Sequence, residues 1–108
     1  MQKYSYAWEK LYIGLRCLAS AGTMKERLLK ASQSAVYSLR ADSLPDKKLS
    51  EALSEIQNGL TAREGQTGGR KDRLAATIAQ MTEIEAREWS LRIVDLAVDV
   101  TRRSAIES

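Results

Sequence analysis

DRLAATIAQMTEIEAREWSLRIVDLAVDVTRR, residues 72–103, contains neither Pro nor Gly and places apolar side chains at helical spacing along its whole length. It reads as one helix, roughly 45 Å long at the usual rise per residue. Turned at about 100° per residue, Leu74, Ala75, Ile78, Ala79, Met81, Ala86, Trp89, Ile93, Leu96 and Val100 gather on one broad face, the stripe that a helix presents to a core. In the second half Ile84, Leu91, Val94 and Val98 form another set well over a third of a turn away. Glu88, Arg92, Asp95 and Asp99 lie along the boundary. A bend is expected near Ile84, where the stripe changes face. A helix apolar on two sides needs two covers, and a chain of 108 residues has few other helices to supply both.

Toward the N-terminus the pattern stays helical. A first helix is expected from about Ser5 to Ala21, with Tyr4, Trp8, Leu11, Leu15 and Leu18 on its main stripe. Tyr6, Ile13, Cys17 and Ala21 lie opposite, so this helix is also apolar on two faces. Gly22 suits a left-handed helix stop. Thr23 and Glu26, in a Thr-x-x-Glu pattern ahead of an apolar run, form a capping box that starts the next helix. That second helix is read from about Met24 through residue 41, with Leu28, Leu29, Ser32, Ala35, Val36 and Leu39 inward. Ser43 and Pro45 open a third, to about Leu60, on a narrow stripe of Leu49, Leu53, Ile56 and Leu60, with Asn58 and Gly59 fraying its end. TAREGQTGGR, residues 61–70, has three glycines and no apolar period, and reads as a mobile loop.

Composition bounds the function classes. No run of eighteen apolar residues exists, and the start MQKYSYAWEK lacks a signal-peptide pattern, so a soluble cytoplasmic protein without membrane association is expected. Histidine is absent, which removes His-dependent nucleophilic catalysis and the Glu-x-x-His ligand pairs of di-iron bundles. Cys17 is the sole cysteine, more in keeping with a small buried hydrophobe than a nucleophile because no base accompanies it. No cofactor and no metal are expected. The net charge of +3 is unevenly spread: residues 1–41 carry seven basic against two acidic groups, and residues 62–73 four against two.

Three chemistries can be weighed against that background. Gly65, Gly68, Gly69, Arg70 and Lys71 precede a helix start and could cradle a phosphate, but the P-loop spacing and its preceding strand are missing. Glu85 and Glu88 on the long helix, with Glu51 and Glu55 on the third, could converge on Mg²⁺ as in all-helical nucleotide hydrolases; the spacing matches poorly, and Arg87 and Arg92 stand at ion-pair offsets. Arg63, Arg70, Lys71 and Arg73 form a basic cluster able to contact nucleic-acid phosphates, with no helix-turn-helix pattern beside it. The runs YSYAWEKLYIGLRCLA and TMKERLLKA resemble small bacterial or phage proteins without pointing to a family or an activity.

The reading is therefore an all-α domain resembling a four-helix bundle, with helices at about 5–21, 24–41, 45–60 and 72–103 and a polar tail over 104–108. Trp8, Leu11, Leu15, Leu28, Val36, Leu39, Leu53, Ile56, Ile78, Trp89, Ile93 and Leu96 are the expected core. The expected function is non-enzymatic: a small regulator, inhibitor or adaptor presenting an apolar helical face to itself or to a protein partner. Tyr6, Ile13, Cys17, Ile84, Leu91, Val94 and Val98 are the expected interface. A homodimer with the long helices antiparallel across a two-fold axis would cover both second faces. The alternative is a nucleic-acid-binding regulator using Arg63, Arg70, Lys71 and Arg73.

Overall fold

A computed structural model describes residues 4–63 and 68–107. The fold is all-α, as the periodicity predicts, and the described residues contain no strand. Those residues form five α-helices in order: α1 (Ser5–Leu18), α2 (Met24–Ser34), α3 (Lys47–Leu60), α4 (Arg70–Ala79) and α5 (Glu83–Glu107), with two short 3₁₀ turns, Val36–Ser38 and Ala41–Ser43, between α2 and α3. Helices α1, α2 and α3 all pack on α5. The shared core includes Leu11, Leu28, Leu53, Leu60, Leu74, Ile93 and Val100, all buried.

The first hairpin forms as its local signals dictate. Gly22 takes a φ of 120°, which few other residues would adopt. The Thr23 hydroxyl accepts from the Glu26 amide at 3.1 Å while the Glu26 carboxylate accepts from the Thr23 amide at 3.2 Å. Together these satisfy two of the amides left without intrahelical partners at the start of α2.

The stretch 72–103 is not one helix. It breaks between Ala79 and Glu83, and the reason lies in its own sequence: Thr82-Glu83-Ile84-Glu85 is a second Thr-x-x-Glu box. The Glu85 amide donates to the Thr82 hydroxyl and the Thr82 amide to the Glu85 carboxylate, both at 3.0 Å. A tertiary clamp holds the corner. The Glu83 carboxylate accepts from the backbone amides of Met24 and Lys25 at 3.0 and 3.2 Å, and Lys25 Nζ donates to the Ala79 carbonyl at 2.8 Å. One acidic side chain thus caps the start of α2, and one basic side chain caps the end of α4, as their helix dipoles favour.

Other boundaries move as well. Helix α4 starts at Arg70, two residues earlier than expected, with Gly69 as its N-cap. Helix α5 runs on to Glu107, so the expected polar tail is helical through that residue. Helix α2 stops at Ser34 instead of continuing to residue 41, yet Ala35, Val36, Leu39 and Leu44 stay buried because the 3₁₀ turns carry them inward. The carbonyls freed there are met by α3: Gln57 Nε2 donates to the carbonyls of Val36 and Leu39 at 2.9 and 2.8 Å, while the Tyr37 hydroxyl donates to the Gln57 carbonyl. Asp46, rather than Ser43, caps α3, accepting from the amides of Lys48 and Leu49 at 2.9 and 3.2 Å. Its other carboxylate oxygen pairs with Arg103 of α5 at 3.1 Å.

The expected core is corrected at Trp8. The buried positions of α1 are Tyr4, Ala7, Leu11, Gly14 and Leu18, a face rotated by roughly 40° from the stripe of largest side chains. The small residues decide this. A Cβ at Gly14 would come within 3.2 Å of the Ala35 Cβ, so the backbones approach where Ala7, Gly14, Ala31 and Ala35 leave room. Trp8 is left 39% exposed, stacked on Tyr12 with ring centroids 5.6 Å apart.

Candidate functional site

Two surface features stand out: an apolar strip along α5 and an arginine-lined cleft beside α4. Ile84, Leu91 and Val98, seven residues apart on α5, are 71%, 48% and 41% exposed, directly away from the side that buries Ala86, Ile93 and Val100. Val94 is half-buried at the edge of this strip. Among the described residues no other element covers Ile84, Leu91 and Val98.

The seven residues expected to form one interface lie on two surfaces. Tyr6 and Ile13, also exposed, turn toward the α2 side of α1: the Tyr6 hydroxyl donates to the Ser38 carbonyl at 3.4 Å, and Ile13 and half-buried Cys17 border a shallow hollow with Arg16, Ser20 and Lys30. Trp8 and Tyr12, on the other flank of α1, meet Ala97 and Thr101 of α5 around a small groove. Trp8, read as core from its spacing, therefore lies with Tyr12 on the flank of α1 that borders α5. Wheel arithmetic missed it because it weights side-chain size and cannot see the close approach allowed at Ala7 and Gly14.

The basic residues separate in the same way. Arg70 and Arg73 line a cleft of about 460 Å³ with Arg40, which sequence separation hides, and with Tyr37, Gln57, Asn58 and Thr61. Lys71 and Arg63 do not line it: Lys71 is turned about 100° around α4 from Arg70, and Arg63 is tied by its backbone amide to the Thr77 hydroxyl at 2.9 Å. Gly68 has a φ of 74°, and Gly65 lies outside the described residues, so the phosphate-loop reading of the glycines rests on Gly68 and Gly69 alone here.

The cleft is built on a rigid floor. Gln57 is locked by the hydrogen bonds already given, and the Thr61 hydroxyl donates to its backbone carbonyl at 2.8 Å. Arg70 lies over the Tyr37 ring, 5.3 Å from its centroid, and donates to the Tyr37 carbonyl at 3.4 Å. Burial pushes the Tyr37 phenol above its ordinary range, against the Thr61 hydrogen bond and the positive fields of Arg70 and Arg73. Among the described residues no carboxylate lines the cleft, and the only ion pair of its three arginines is Arg40 with Asp42, at 3.2 Å and largely exposed.

The carboxylates do not assemble as a Mg²⁺ site would need. Glu85 is turned back onto the Thr82 amide. Glu55 instead lines the α3–α5 groove with Asp95, Asp99 and Arg92, and the described residues hold no acidic, His or Cys group able to bind a metal ion. Trp89 packs between α3 and α5 with Arg92 over its ring at 4.4 Å. No helix among the described residues is long and apolar enough to cross a membrane. Compared with known protein families, curated proteins and solved structures, the chain matches none.

Proposed function

We propose that this is a non-enzymatic helical interaction protein whose working surface is the outer face of α5, covered by the same face of a second copy. The observation that carries the reading is the exposure of Ile84, Leu91 and Val98 at seven-residue intervals. That repeat keeps large apolar side chains along one line of a helix, the arrangement by which two helices pair lengthwise. Left in water, the strip favours association, at about 25 cal/mol for each Å² of apolar surface removed. Val94 and the Trp8–Tyr12 pair extend it on the α1 side, and Arg87, Glu88 and Asp95 provide a charged rim. A regulator, inhibitor or adaptor acting through a rigid helical face fits this surface.

The test is light scattering of the wild type beside a Leu91→Asp, Val98→Asp double variant. Both side chains lie outside the core, so the variant should keep its helical circular dichroism. A dimeric wild type and a folded monomeric variant are the expected pair. A wild type that is monomeric at micromolar concentration would remove self-association from the reading.

A further inference from the structure

We infer that the cleft between the 3₁₀ turns, α3 and α4 is an oxyanion site that takes the phosphate of a small phosphorylated ligand. Three guanidinium groups, from Arg40, Arg70 and Arg73, line one concavity, and no carboxylate among the described residues lines it with them. Gathering like charges at one place is unfavourable in the empty protein, and a dianion relieves it. Arginine suits that role because its planar fork donates two parallel hydrogen bonds to phosphate oxygens, and such charge-assisted bonds are about twice as strong as neutral ones.

The surroundings favour a defined pocket over a diffuse basic patch. Arg70 is held in place by the Tyr37 ring and carbonyl, so part of its ordering cost is met before any ligand arrives. Thr61 and Asn58 add polar groups to the wall. Gln57 has its side-chain amide and backbone carbonyl committed to Val36, Leu39, Tyr37 and Thr61, so the floor is pinned and offers shape. The cleft's volume of about 460 Å³ lies within the span of small-ligand sites, roughly 300–1,000 Å³. The other two basic residues, Arg63 and Lys71, are outside it, which sets the cleft apart from an extended phosphate-tracking stripe.

The experiment is an amide chemical-shift titration of the whole chain with inorganic phosphate, a nucleoside 5′-monophosphate, the parent uncharged nucleoside and a single-stranded oligonucleotide, at two salt concentrations. Saturable shifts at Leu39, Arg40, Asn58 and Thr61 with phosphate and the monophosphate, and none with the nucleoside, are expected. Arg40→Ala with Arg73→Ala, both exposed, should weaken binding by about tenfold or more while leaving the helical circular dichroism unchanged. Arg63→Ala with Lys71→Ala should change it by less than about twofold. Arg70→Ala, compared at a temperature well below its melting point, should weaken binding at least as much. No saturable shift with either phosphate ligand overturns the proposal, as does equal weakening by the two double variants. An oligonucleotide that binds far more tightly than the monophosphate, with a steep salt dependence requiring Arg63 and Lys71, would replace the small-ligand site with a nucleic-acid surface.

Discussion

Replacing Gly59 with Ala puts the α3–α5 packing to a direct test. A Cβ built on Gly59 would fall 2.0 Å from Trp89 Cη2, 2.7 Å from Cζ2 and 2.8 Å from Cζ3, where carbon atoms normally approach to about 3.5–4.0 Å. The indole is rigid and lies under Arg92, so it cannot yield by a small torsion; the ring must leave its seat or α3 must shift. Against this stands the ordinary gain of Ala over Gly in a helix, up to about 1 kcal/mol and smaller at the penultimate residue of α3. Overpacking costs about 1–3 kcal/mol, so the clash wins and a net loss of about 1 kcal/mol or more is expected. In a domain of this size that lowers the melting temperature by about 4 °C. Urea and thermal unfolding followed by circular dichroism measure the loss, and fluorescence in a Trp8→Phe background reports the displaced indole. Trp89→Leu should restore much of the stability in the Gly59→Ala chain, giving a coupling energy of about 1 kcal/mol. A Gly59→Ala protein more stable than wild type, and additive with Trp89→Leu, would refute the packing and return Gly59 to the role of a residue that merely frays α3.

Thr82→Ala should destabilise the chain by about 1 kcal/mol and speed hydrogen exchange at the amides of Glu83 to Glu85, as loss of an N-cap does; an increase in stability, the result for Ala inside a continuous helix, would contradict the break between α4 and α5. The pH profile should slope at both ends. Hydrogen bonds from the Thr23 backbone and side chain hold the Glu26 carboxyl below its ordinary range, so its contribution is present above the unfolded value near 4.3 and is lost as pH falls through the folded one. Burial holds the Tyr37 phenol above its ordinary range, so its contribution is present below about pH 10 and is lost as pH rises past the folded value. Urea midpoints across pH, with Thr23→Ala flattening the acid limb and Tyr37→Phe the alkaline limb, check both signs.

Taken alone, the amino-acid order determines what short-range physics can determine. An all-α fold follows from apolar residues at helical period with few breakers, and the α1–α2 corner follows from Gly22, Thr23 and Glu26 within five residues of one another. The α4–α5 corner is equally legible in Thr82 and Glu85, a box that reading 72–103 as one helix passes over because the stretch holds no Pro or Gly. The exposed strip of Ile84, Leu91 and Val98 also follows from period alone, because two apolar faces on one surface helix cannot both be turned inward. Only the tertiary structure decides which face of α1 is buried, since Gly14 gains its value from Ala35, and why Gly59 must lack a side chain, since Trp89 fills that space. It also ends α2 at Ser34 through Gln57, ties Glu83 to the amides of Met24 and Lys25, and brings Arg40 to one cleft with Arg70 and Arg73. Each of these depends on atoms separated by 18 or more positions in the chain, where helical period and capping patterns, which act over four or five residues, carry no information.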